Sequence, residues 1–204
     1  MECKIFFNLI LFFMKKVFLF LMVCCLLVVG CKKHTEVKVQ EIVVENVTST
    51  DKEYMFANYG GDYKWFESCI TMKNFLDDEN PDGTIERVAN VFQVVKGVTE
   101  KTFDVFVVLT AHTQEGSTYE VKEGFWVEDY DLANEQIKLT FKEAFDRVMQ
   151  ANCPKPHSKQ CVLRKEIGPT DCNPQYIFGN VVSQVYVDAV TGDVNTSDPA
   201  FPKE

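Results

Sequence analysis

Histidine is scarce in this sequence: three in 204 residues, His34, His112 and His157. The scarcity limits acid–base chemistry. His34 lies in a short polar stretch and His157 in a proline-containing loop. His112 ends a strand-like run with no serine or cysteine nucleophile recognisable around it. No nucleophile, base and orienting group can be assembled by any known signature. The carboxylates are numerous but scattered, and none is marked out as a glycosidase pair. The chain is therefore expected not to be an enzyme and to need no cofactor. Positive charge is also short, with 21 Lys and Arg against 30 Asp and Glu, a net charge of −9. Such a surface repels phosphate backbones, so nucleic acid is not an expected partner. Finally, no membrane-spanning run is expected: the uncharged stretch Val17–Gly30 falls short of the about 20 apolar residues a spanning helix needs.

What that stretch does have is order. Met14-Lys15-Lys16 is a basic start, Val17–Val29 an uncharged core, and Gly30-Cys31 a small residue followed by cysteine. This is the layout of a secretory signal. Val28-Val29-Gly30-Cys31 resembles the lipobox of bacterial lipoproteins. The resemblance implies acylation of the Cys31 thiol and of the new amino terminus, the two-chain anchoring that stable membrane attachment requires. Residues 1–30 are the expected signal peptide. Residues 1–13 place a second apolar run before the lysines, so translation is expected from Met14. Removing Lys4, Lys15, Lys16 and Glu2 with the signal makes the balance more acidic still. Residues 31–36 read as a tether. Lys32 and Lys33 carry neither the Asp of inner-membrane retention nor an acidic export cluster, which favours an outer-membrane anchor facing the periplasm.

Of the eight cysteines, Cys69, Cys153, Cys161 and Cys172 remain once the signal is removed and Cys31 is acylated. An even number in an exported chain predicts two disulfides, with three connectivities open. Proximity across the loop "NCPKPHSKQC" favours Cys153–Cys161, leaving Cys69–Cys172. Cys153, His157 and Cys161, with Cys172 as a fourth ligand, would also suit zinc, but the oxidising compartment and unfamiliar spacing favour disulfides. In "DDENPDGTI", Asp78, Asn80, Asp82, Gly83 and Ile85 approach the spacing of a calcium loop. The closing bidentate Glu is missing, however, because that position is Ala89. Asn80-Pro81-Asp82-Gly83 is a turn sequence, so a hairpin link is expected there and no metal site. Trp65 and Trp126 are candidate ligand contacts that could stack on a glycan; at strand spacing such residues are more often core or sheet-face residues.

Periodicity predicts mostly strands. Val37–Thr48 reads as extended and residues 49–63 as loop. Lys64–Leu76, Thr84–Lys96, Phe103–Ala111 and Thr118–Glu128 alternate apolar and polar residues, the mark of half-buried strands. Short links and the lack of crossover helices point to an antiparallel meander. One helix is clear, Thr140–Asn152. Thr140 and Glu143 form a capping box, Phe141, Ala144, Phe145, Val148 and Met149 make one apolar face, and Pro154 stops it. Three strands follow, with a tight turn expected at Gly179-Asn180 and another at Thr191-Gly192-Asp193.

The helix "LTFKEAFDRVMQ" followed by strands ending in "YIFGNVVSQVYVDAVTGDV" resembles the PepSY domain over residues 138–195. The resemblance is carried by Thr140, Glu143, Ala144, Tyr186, Val187, Asp188, Thr191, Gly192 and Val194. "NCPKPHSKQC" departs from that pattern. The resemblance implies a fold similar to β-lactamase-inhibitor-like domains and a role in inhibiting or restraining peptidases. The expected fold class is α+β, an antiparallel β-meander followed by a helix packed on an antiparallel sheet. Its halves are a β-rich segment, 37–135, and a PepSY-like segment, 136–204. The expected function is that of a lipid-anchored, non-catalytic protein-binding module with a secreted or envelope peptidase as partner. The alternative is a glycan- or small-ligand-binding envelope lipoprotein.

Overall fold

The computed structural model describes residues 41–96, 104–127 and 129–202; the signal, Cys31 and the tether lie outside them. Val39–Glu204 is one compact unit. Its first helix is Val44–Tyr59 (α1), followed by strands Tyr63–Met72 (β1), Ile85–Lys96 (β2), Asp104–Thr113 (β3) and Gly116–Glu123 (β4). After a 3₁₀ turn at Leu132–Asn134 come helix Phe141–Gln150 (α2) and strands Gln160–Arg164 (β5), Gln175–Asn180 (β6), Ser183–Asp188 (β7) and Val194–Asn195 (β8).

The expected fold class, an α+β chain with a β-meander followed by a helix packed on an antiparallel sheet, is overturned. The eight strands of the described residues form a single antiparallel sheet in the order β4-β3-β2-β1-β5-β6-β7-β8. The first strand of each run meets the other at the centre, where β1 and β5 pair from Glu67–Arg164 to Thr71–Gln160. The strand order therefore reads outward alike in both directions, and each run of four is preceded by its own helix.

The expected strand Val37–Thr48 is also overturned where it is described, because Val44 begins α1. The buried residues of α1 are Val44, Thr48, Asp51 and Met55, spaced by four, three and four as a helical face requires. Two of those four are polar, so the apolar periodicity that marks a helix is nearly absent. A cluster of β-branched residues near the start supplies the strand signal instead: Ile42, Val43, Val44 and Val47 all lie there. Gly60 ends the helix at φ 76°, its N–H reaching Phe56 O at 2.9 Å.

The second helix forms as its sequence dictates. Thr140 Oγ1 accepts from Glu143 N at 3.3 Å, and the Glu143 carboxylate accepts from Thr140 N at 2.8 Å. The Thr140 N–H and the Thr140 hydroxyl, both donating to that carboxylate, hold the Glu143 carboxyl below its ordinary pKa. Phe141, Ala144, Phe145 and Val148 are buried in the same core as Val44 and Met55 of α1, Ile70 and Met72 of β1, Phe92 of β2, Phe178 of β6 and Val187 of β7.

The opposite face of the sheet is partly covered by chain without regular structure. Trp126 N donates to Gln93 Oε1 at 2.7 Å, Asp129 bridges to Glu166, and Ala200 O accepts from Thr170 N at 3.3 Å. Val91, Val105, Val107, Ile177 and Tyr186 are consequently buried as well. The expectation of a half-buried fourth strand fails: every residue of β4 is exposed, because it is the sheet's edge.

Ile70 is fully buried beside the β1–β5 seam. Ile70→Ala is expected to cost about 2–5 kcal/mol. Since one sheet joins both runs, urea unfolding followed by tryptophan fluorescence and by far-UV circular dichroism should shift together in a single transition.

Candidate functional site

The densest polar arrangement lies between α1 and the sheet. Asp51 is fully buried, and its carboxylate meets three partners. Oδ1 lies 2.7 Å from His112 Nε2 on β3. Oδ2 accepts from Asn90 Nδ2 on β2 at 2.7 Å and from the Thr110 hydroxyl on β3. Asn90 Oδ1 in turn accepts from Ser68 Oγ on β1 and from Thr48 Oγ1 at 3.3 Å. On its outer side His112 Nδ1 lies 2.7 Å from Ser117 Oγ on β4. Since a carboxylate only accepts, Nε2 carries the proton toward Asp51, and in the neutral ring Nδ1 accepts from Ser117. Tyr119 meets the His112 ring edge-on with centroids 5.9 Å apart, and itself stacks on Tyr54 of α1 at 4.1 Å.

Ser117, His112 and Asp51 thus line up as hydroxyl, imidazole and carboxylate, contrary to the expectation that no nucleophile stands near His112. Their sequence separations hid them: the serine faces the histidine only because a two-residue turn pairs His112 with Ser117 across β3 and β4. The carboxylate comes from a helix with almost no amphipathic signal. Asn90 at the parity of Val88, Phe92 and Val94, and Thr110 and His112 at the parity of Phe106 and Val108, put polar residues on an otherwise apolar strand face and are the sequence trace of the cluster.

The residues singled out in the sequence are dispersed. Trp65 is buried in the helix-side core, 4% exposed, with its indole N–H on Glu67 O at 3.2 Å and Lys52 Nζ 3.9 Å from the ring centroid. Burial lowers the Lys52 pKa, partly offset by Asp131. Trp126 lies on the other face, its indole N–H donating to Asp129 Oδ2 at 3.2 Å. The two indoles share no binding platform.

Both expected disulfides, Cys153–Cys161 and Cys69–Cys172, are absent, and the four cysteines are free thiols. Cys161 faces the helix-side core, whereas Cys69 pairs with Val162 and so faces the opposite side. Cys69 Sγ donates to Glu67 Oε1 at 3.1 Å. Burial, then the Glu67 carboxylate, push this thiol up to about 12; burial raises Cys161 well above its ordinary value.

His157 stacks on Phe75 at 4.2 Å and bonds Asp77 at 2.9 Å. In the 73–84 link, Asp78 accepts from Phe75 N at 2.8 Å and Asp82 from Thr84 N at 2.9 Å. These carboxylates close turns. Among the described residues no cluster of His, Cys, Asp and Glu could hold a metal ion, and no helix is long and apolar enough to cross a membrane.

The β7–β8 connection is a tight turn. Asp188 Oδ1 accepts from Val190 N at 2.8 Å and Thr191 N at 2.9 Å, with Gly192 at φ 80°. The β6–β7 turn is less ordinary. Gly179 and Asn180, expected to form it, are the last residues of β6, and the two-residue tip is Val181-Val182, 96% and 89% exposed. Asn180 Oδ1 fixes the tip by accepting from Val182 N at 2.9 Å and Ser183 N at 3.3 Å. Ser158 Oγ anchors Gly179 O at 3.0 Å. Two-residue hairpin loops favour Asn-Gly or Asp-Gly, so a pair of exposed valines there does nothing for local folding.

No family model, no curated protein and no solved structure matches this chain.

Asp51→Ala strands His112, Asn90 and Thr110 without their buried partner and is expected to cost about 3–5 kcal/mol in urea unfolding. Ser117→Ala, at the exposed end of the chain of contacts, should cost about 1 kcal/mol. At pH 8, iodoacetamide should leave Cys69 and Cys161 unmodified in the folded chain and alkylate both after unfolding, as read by peptide mass mapping. Their folded thiol pKa values lie above the ordinary value of about 8.5. The stability they contribute is full below that pH and is lost as pH rises toward 12.

Proposed function

We propose that the protein is a cell-envelope lipoprotein, anchored through acyl chains on Cys31 and facing the periplasm. In this reading it acts as a non-catalytic protein-binding module that inhibits or regulates a secreted or envelope peptidase. The PepSY-like reading of residues 138–195 belongs to the same proposal. The observation that supports it is the β6–β7 tip. Apolar residues held on a rigid, nearly fully exposed turn suit insertion into a partner's pocket, where burying them is favourable. A local choice that conflicts with turn chemistry and brings no folding benefit marks a functional position.

The test is capture of a peptidase or its precursor by the full chain, followed by an inhibition assay. Val181→Asp/Val182→Asp should abolish both. Val181→Asn/Val182→Gly should abolish them too while leaving the melting temperature unchanged or higher. A tip serving only the fold would give the opposite pattern, with binding kept and stability changed.

A second reading, hydrolysis at Ser117, is favoured by the Ser117–His112–Asp51 alignment alone. Among the cavities described, none is lined by Ser117. Labelling of Ser117 by a fluorophosphonate, lost in His112→Gln, would establish an activated serine and displace the non-catalytic reading.

A further inference from the structure

The outer edge of β4 is open: among the described residues no strand pairs beyond it, and all eight of its residues are exposed. An unpaired edge is a template for another strand. The ladder to β3 shows which backbone groups are available. Gly124 N donates to Val105 O at 3.0 Å, continuing the register in which Phe106 faces Glu123. Antiparallel pairs alternate between bonded and non-bonded. Gly116, Thr118, Glu120 and Lys122 therefore bond inward to β3, while Ser117, Tyr119, Val121 and Glu123 turn their N–H and C=O groups outward.

We propose that this edge pairs antiparallel with the same edge of a second copy, about a dyad through Val121, continuing one sheet across both molecules. The inference is independent of the β6–β7 tip. Parity requires outward groups to meet outward groups, so the dyad must pass through a residue and not between two. Charge then selects among the centres. A dyad at Glu120, Lys122 or Glu123 sets that residue against its own copy, like charge on like. A dyad at Tyr119 reaches the turn and brings Glu115 against Glu123.

A dyad at Val121 sets Glu120 of each copy against Lys122 of the other, twice by symmetry. These are non-bonded pairs, the kind whose side chains approach most closely. Val121, 48% exposed, meets its own copy, and Tyr119 lies opposite Glu123. Within a single chain Lys122 Nζ lies 3.2 Å from Glu120 Oε1, so both side chains already occupy the surface where the cross-copy pairs form. The contact is isologous and closes at two copies.

The experiment is sedimentation equilibrium of the full chain, in detergent if acylated, with amide hydrogen exchange on the same samples. The expected result is a dimer whose formation slows exchange at Tyr119, Val121 and Glu123. Glu120→Lys places lysine against lysine and should weaken dimerisation about tenfold, and Lys122→Glu should do the same with carboxylates. The double variant Glu120→Lys/Lys122→Glu restores both pairs and should recover the wild-type dissociation constant. Both positions of change are exposed, so circular dichroism should match throughout. A monomer at all concentrations, a dimer without protection at those three amides, or a double variant no better than the singles would overturn the proposal. A monomer whose β4 amides become protected only when another protein is added would overturn it too, and would assign the edge to a different strand.

Discussion

The carboxylate of Asp51 sits where water cannot reach it, beneath a helix and above a sheet. A buried charge is tolerable only when its hydrogen bonds are complete, and completing these takes side chains from β2 and β3, with β1 and β4 one contact further out. Position and orientation of α1 are thereby tied to four strands at once. Apolar packing is forgiving about small rotations of a helix on a sheet, whereas a carboxylate with fixed donors is not. The register of β3 with β4 is coupled to the same point, since His112 must present one nitrogen to Asp51 and the other to Ser117.

The cluster also bears on how catalysis is recognised. Hydroxyl, imidazole and carboxylate in a row are necessary for an activated serine, but a reaction additionally needs donors for the developing oxyanion and room for a substrate. Here Tyr119 lies against the imidazole, and the carboxylate's second oxygen is fixed by Asn90 and Thr110. The same contacts that would orient a catalytic histidine also fasten a helix to a sheet. Geometry of this kind separates into clamp or catalyst only by reactivity at the serine.

Much of the fold was legible where the burial pattern and chemical pattern agree. The capped α2 and strands β1, β2, β3, β5, β6 and β7 fall close to their expected places. Reading failed where they disagree. The buried face of α1 is half polar, so its helical period carried no hydrophobic signal. β4 alternates like a half-buried strand yet lies at an edge, a fact about neighbours and not about its own residues. The β6–β7 turn escaped by two residues because Gly179-Asn180 has the better turn chemistry. Cysteine parity suggested disulfides, but parity says nothing about distance, and the four cysteines stand as free thiols. The single sheet could not be read at all, because its central pairing joins segments far apart in sequence.

That central pairing has a kinetic meaning. Each run of four strands is built from neighbours in sequence, and such local hairpins form quickly. The β1–β5 seam brings Cys69 against Val162, across most of the compact unit, and closing so long a loop costs entropy before any contact repays it. Until the seam closes, each half exposes a second strand edge at its middle. The interval between meander formation and seam closure is thus when the nascent chain is most open to mispairing with its own copies, and the exchange of one half for another's would rebuild the same seam between two molecules.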